Sequence, residues 1–144
     1  MKIAIASDHG GYELKQAIIS HLSDKGFEIS DFGVDTSAVS VDYPHYAKKV
    51  AHAIINNEAT SGILVCGTGI GMSIAANKVP GIRAAVVGDV FSARATKEHN
   101  NANIICLGQR VLGEGTALMI VDEWLSSDFL GDRHQTRIDL IEEV

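Results

Sequence analysis

The sequence predicts an α/β fold: a doubly wound, five-stranded parallel sheet with flanking helices, built as a single domain over residues 1–144. Two observations carry this. Five short apolar runs recur along the chain with stretches of helical period between them. The third run, Ile63-Leu64-Val65-Cys66, is apolar without alternation, as in a strand buried on both faces of a parallel sheet. Composition agrees: 46% apolar and 21% charged residues, with 14 Gly and 2 Pro, describe a chain that buries a core and exclude a disordered, collagen-like or disulfide-stapled one.

The elements follow in order. Ile3–Ala6 is the first strand. A helix follows with Leu14, Ala17, Ile18, His21 and Leu22 on one face, stopping near Gly26. Phe27–Phe32 is a weaker, alternating strand. Pro44 suits a first helical turn with Asp42 as its cap, and Ala47, Val50, Ala51, Ile54 and Ile55 form the apolar stripe behind it. The third strand ends in Gly67-Thr68-Gly69-Ile70-Gly71, and a short helix runs on to Lys78 before Pro80-Gly81. Ala84–Val87 is the fourth strand, followed by a helix from Phe91 to about His99. Ile104–Leu107 is the fifth, and two helices, about Glu114–Leu125 and Asp132–Val144, end the chain. Strand–helix alternation implies right-handed crossovers, and ligands in such sheets bind beyond the carboxyl ends of the strands. The segments there are Ser7–Gly11, Gly67–Gly71, Gly88–Asp89 and Gly108–Arg110.

The net charge of −6 lies entirely in residues 98–144, whose only cations are Arg110, Arg133 and Arg137. A nucleic-acid binder carries the opposite excess, so that class is set aside. The longest unbroken apolar run is Ala117–Val121, against the roughly 20 residues a membrane span needs. Met1–Ser7 runs directly into Asp8-His9 without a signal-peptide pattern, and two cysteines read as cytosolic thiols, so a cytoplasmic location is expected.

Gly67–Gly71 carries the strongest chemical signal. Three glycines in five residues at a strand-to-helix turn let amides converge on an anion, and a tight turn requiring positive φ is the plain alternative. A dinucleotide fingerprint fits less well: the G-x-G-x-x-G spacing is absent, although Asp89 sits where a ribose-binding acid would. A cysteine-phosphatase loop would need an arginine where Met72 stands. Cys66, opening the loop, is either a thiolate base or nucleophile favoured by those amides or a small buried apolar residue. Cys106, inside the fifth strand, takes the buried reading. Asp8 is a helix cap or a ligand group, and His9 lies at the ligand-binding edge. No pair of the 6 histidines has H-E-x-x-H spacing, so no metal is expected. His99 closes a helix, either as a dipole partner or as a proton shuttle. Arg133 and Arg137, four apart, continue towards Ile141 and Val144 as an extension of an apolar stripe, a placement suited to holding a dianion if they are not paired with local acids.

Taken together, Asp8-His9-Gly10-Gly11, Asp42-Tyr43-Pro44, Cys66–Gly71, Ala75-Ala76-Asn77-Lys78, Gly81-Ile82-Arg83-Ala84, His99-Asn100 and Gly131–Arg137 resemble the motif set of the ribose/galactose isomerase family, type B ribose-5-phosphate isomerase in particular. The resemblance covers nearly the whole chain in order. It implies a Rossmann-like fold and a homodimer, sometimes paired into a tetramer, with sites shared across the interface. It implies interconversion of ribose 5-phosphate and ribulose 5-phosphate through an enediolate, without metal or other cofactor. By that resemblance Cys66 is the base, and the amides of Gly67, Thr68, Gly69, Ile70 and Gly71 hold the oxyanion with the Thr68 hydroxyl assisting. His99 assists ring opening with Asp8 and Tyr43 close by, and His9, Arg133 and Arg137 hold phosphate. Asn100 and Arg110 contact substrate from the partner subunit. One branch of the family uses a glutamate at position 72; with Met72 and Cys66 this chain falls in the cysteine branch. Six-carbon sugar phosphates are the alternative substrates, and a non-catalytic sugar-phosphate or nucleotide module is the alternative class.

Overall fold

The computed structural model describes all residues, Met1–Val144. Five parallel strands form one sheet: β1 (Lys2–Ser7), β2 (Glu28–Asp31), β3 (Ser61–Cys66), β4 (Ala84–Val86) and β5 (Ile104–Gly108). The helices are α1 (Tyr12–Asp24), α2 (Tyr43–Ile55), α3 (Ile70–Ala76), α4 (Val90–Glu98), α5 (Glu114–Ser126) and α6 (Arg133–Glu142). All five predicted strands are present, with β2 reduced to the middle of its apolar run.

The strand order is β2-β1-β3-β5-β4, so the last strand is inserted between the third and fourth. β1, β3 and β5 occupy the centre and are buried along most of their length, which explains their unbroken apolar sequences. Their side chains alternate between two cores. Ile3, Ile5, Ile63, Val65, Ile105 and Leu107 pack against α1, α4 and α5, and Trp124 fills this side. Ala4, Ala6, Leu64, Cys66, Ile104 and Cys106 pack against α2 and α3. Small residues on β1 and the Ala47/Ala51 face of α2 bring this second layer close. Burying an aliphatic side chain of this size stabilises the fold by about 1.5–3 kcal/mol, so both layers are needed to hold the sheet.

Three local expectations change. Asp42 precedes α2, but its carboxylate caps nothing; its backbone carbonyl accepts from His45 N–H instead, and Pro44 shapes the first turn. The Arg133–Arg137–Ile141 row of α6 does not extend a buried stripe: the buried row is His134 and Ile138, one position on, and Ile141 is 53% exposed. Lys15, beside the predicted apolar face of α1 but not one of its residues, is fully buried. Its ammonium meets both Asp31 carboxylate oxygens at 2.7 and 2.8 Å and the Gln16 side chain at 3.2 Å. No helix is long and apolar enough to cross a membrane.

Candidate active site

The chain order reverses direction in the sheet between β1 and β3, which opens a crevice at their carboxyl ends. The residues after β1, β3 and β5 meet there. Asp8 N–H donates to Val65 O at 3.3 Å, Gln109 N–H to Cys66 O at 2.9 Å and Arg110 N–H to Gly67 O at 3.0 Å. The fourth expected segment does not join them: the Asp89 carboxylate caps α4, accepting from Ser92 N–H at 2.7 Å and Ser92 Oγ at 2.8 Å. That bond to the Ser92 amide holds the Asp89 carboxyl below its usual range, and it removes the acid a dinucleotide ribose would require.

Cys66 ends β3, 6% exposed, with Sγ accepting the Gly69 N–H at 3.0 Å. Gly69 stands at φ 82°, a conformation that costs little only for glycine, and this turns its amide back onto the sulfur. A side chain there would also meet the β5 backbone at 3.1 Å. Ile70 N–H donates to Thr68 Oγ1 at 3.2 Å, leaving the exposed threonine hydroxyl its own hydrogen to give. Two of the five loop amides are therefore committed within the loop, to the Cys66 sulfur and to Thr68. Asp8 lies 9% exposed beside them, one carboxylate oxygen accepting Gly10 N–H at 2.9 Å. The cap reading and a site position thus coexist for Asp8. Tyr43, first residue of α2, lays its ring on Gly71, where any Cβ would come within 2.6 Å of the ring. His9 Nδ1 accepts Val41 N–H at 3.1 Å. Cys106 is a buried strand residue as expected, and burial raises its thiol's pKa.

Arg110 also lies at this edge of its own chain. A Cβ on Gly67 would lie 3.5 Å from its Nη1, and one on Gly10 3.9 Å from its Nη2. It makes no ion pair. Gln109 fixes its approach: the side-chain carbonyl accepts Leu14 N–H at 3.0 Å, and the amide donates to Glu13 at 2.9 Å. Nothing in the sequence pattern singles out Gln109, whose partners lie 95 and 96 positions away.

His99, Asn100, Arg133 and Arg137 are at the opposite end of the sheet. α4 starts beyond the carboxyl end of β4 and returns to the amino edge, where Asn103 O accepts Gly62 N–H at 2.8 Å. Asn100 O and Asn101 O accept from Arg83, at the start of β4. Cys66 pairs with Gly108 and Gly62 with Ile104, so the two edges are about 13 Å apart along the strands. The start of α6 joins α4 here: Leu130 N–H donates to Glu98 O at 3.1 Å, and the His99 and His134 rings stack at 4.4 Å. Burial first, then the Arg133, His99 and Arg137 charges, hold the His134 imidazole below its ordinary pKa against an opposing pull from Asp132. Arg133 and Arg137 are exposed and in no ion pair, whereas Arg83 and Arg94 pair with Glu142 and Glu123. Of the two main cavities of the single chain, one of about 570 Å³ lies away from both edges beside the Lys25–Asp122 pair, and one of about 730 Å³ lies between the α3–β4 turn and the end of α6, with Asn100 in its wall.

A sequence profile of the ribose/galactose isomerase family matches residues 3–141. The chain is 47% identical over 143 residues to ribose-5-phosphate isomerase B of Escherichia coli, covering 99% of this chain and 95% of that protein. The solved ribose-5-phosphate isomerase B of Clostridium thermocellum superposes with a TM-score of 0.98 at 55% identity, over 99% of this chain and 96% of that one. The Mycoplasma genitalium enzyme, solved with bound ribulose-5-phosphate, gives 0.94 at 43% identity over 99% and 94%. With its family profile, its fold and a cysteine held at a glycine-rich carboxyl edge all in agreement, the chain belongs to the ribose/galactose isomerase family.

Proposed function

We propose that the chain is an aldose–ketose isomerase interconverting ribose 5-phosphate and ribulose 5-phosphate, with Cys66 as the base. The observation that carries this is the Cys66 sulfur held by the Gly69 amide at the sheet edge, beside Asp8, Thr68 and an unpaired Arg110. The relatives' identity and the ribulose-5-phosphate complex of the Mycoplasma relative support the substrate. In the open-chain aldose the Cys66 thiolate takes the proton on C2. The electron pair forms the C1–C2 double bond and charge collects on O1. Loop amides not already engaged, with the Thr68 hydroxyl, stabilise that oxygen; a preorganised donor contributes about 3 kcal/mol to such a transition state. The proton is returned at C1, and the O2 proton passes to O1 as the C2 carbonyl forms. This chemistry needs a base and an anion site and calls for no cofactor.

A complete site requires two copies of the chain in this reading. One copy supplies Asp8, His9, Tyr43, Cys66, the glycine loop and Arg110. The second supplies His99 for ring opening, Asn100, and Arg133 with Arg137 for the phosphate. The separation of the two edges within one chain supports this, as do the free charges of Arg133 and Arg137. α3, next to the loop, leaves Ile70 54% and Ile74 58% exposed, an apolar face a second copy would cover. The test is a coupled assay of kcat/KM on five- and six-carbon sugar phosphates side by side. A preference for ribose 5-phosphate is expected; a higher value on a six-carbon phosphate would overturn the substrate, and binding without turnover would overturn the activity.

A further inference from the structure

His99 stands at an exposed helix end, where an unsupported imidazole samples several rotamers. Its ring is nevertheless parallel to that of His134, with 4.4 Å between centroids and 14° between planes. His134 comes from the first turn of α6 and is itself 6% exposed. Its Nε2 is buried without a hydrogen-bond partner, and Nδ1 makes no hydrogen bond within the chain. What this ring offers His99 is therefore its face. The charges around the pair are Asp132, Arg133 and Arg137 on α6. On α4, Glu98 precedes His99, and the Lys97 ammonium lies 5.8 Å above the Trp124 ring. Arg83, at the start of β4, binds the Asn100 and Asn101 carbonyls. Burial and the neighbouring Arg133 and Arg137 charges disfavour a second imidazolium beneath His99, while a neutral ring face stabilises a cation above it.

We propose that His134 is the positioning residue of His99: a neutral aromatic platform that fixes the His99 ring and accepts it with or without its proton. The inference rests on His99 acting in the isomerisation, and the test separates the two ideas. His134→Phe keeps the platform and removes the nitrogens; His134→Leu removes the aromatic face. In the full chain His134→Phe should keep kcat within about threefold, while His134→Leu should lose about tenfold or more in kcat with KM little changed. Proton NMR of the His99 ring gives a readout independent of turnover: the upfield ring-current shift should persist in the Phe variant and vanish in the Leu variant. Wild-type kcat in His134→Leu overturns the proposal, as does a Phe variant impaired as severely as the Leu variant. If the wild-type chain does not turn over ribose 5-phosphate, the isomerase reading fails, and the ring-current shift still decides whether His134 holds the His99 ring.

Discussion

At the scale of single residues, the candidate site is a set of donors and charges left without internal partners beside a sulfur that has one. Cys66→Ala should keep substrate binding by calorimetry and lose about a thousandfold in kcat, the range of a general base. Near-normal turnover would remove Cys66 from that role. Arg137→Ala should act mainly on KM, raising it about tenfold or more for a phosphorylated sugar, as loss of a charge-assisted bond requires. An equal loss on the unphosphorylated sugar would contradict a phosphate contact. Most of these residues were legible in the sequence because glycines, a cysteine and arginines in a strand-to-helix turn or a charge-poor segment stand out by type. His134 did not, because burial of one imidazole against another is decided by two elements 35 positions apart and leaves no local pattern.

At the scale of elements, two clasps outside the site set the stability of the layers it rests on. Lys15 on α1 is buried against Asp31 at the end of β2, and the same carboxylate accepts Gly33 N–H at 2.9 Å, tying the chain that leads to His9's partner Val41. Asp31→Asn strands the ammonium and should cost about 2–3 kcal/mol in urea unfolding, less than a fully buried pair because the Asp31 side chain is 40% exposed. Adding Lys15→Met should recover most of it. Asp122 on α5 clasps α1 through His21 at 2.8 Å and Lys25 at 2.9 Å. Burial pushes its carboxyl up, but those partners more than offset this and leave it below the ordinary value of 3.8. Its contribution is therefore complete above that value and is lost as pH falls through the lower folded value. In thermal scans Asp122→Asn should destabilise by at most about 1 kcal/mol at neutral pH, and its gap from the wild type should close in strong acid. Helical spacing reveals which residues share a face of α6 but not which face is buried, so a stripe drawn through Ile141 and Val144 takes in the arginine row, whereas its neighbour row, His134 and Ile138, is the one that packs.

At the scale of the whole molecule, the strands and their order of burial followed from the apolar runs, whereas the placement of Cys66 and His99 at opposite sheet edges followed from topology. Each helix returns the chain to the amino edge, so a group at a helix end, such as His99, is placed far from one at a strand end, such as Cys66. If two copies complete each site, variants broken at opposite edges must complement. At substrate well below KM, where Arg137→Ala sites contribute little, copies carrying Cys66→Ala mixed equally with copies carrying Arg137→Ala, after unfolding and reassembly, should recover about a quarter of wild-type activity, since half the pairs are mixed and each mixed pair holds one intact site. No recovery would place both residues in a site built by one chain.

The insertion of β5 between β3 and β4 has a further consequence for how the chain acquires its activity during synthesis. β4 pairs with no strand except β5, and β3 has β5 as its outer neighbour. A nascent chain ending before residue 104 holds β1, β2 and β3 as an open-edged sheet, with β4 made but unpaired. The loop after Cys66 then lacks the β5 backbone against which Gly69 packs, and the Cys66 carbonyl lacks the Gln109 amide. Cys66 is thus translated near the middle of the chain, while its surroundings close only when the fifth strand slides into the gap, which places completion of the candidate site late in biogenesis.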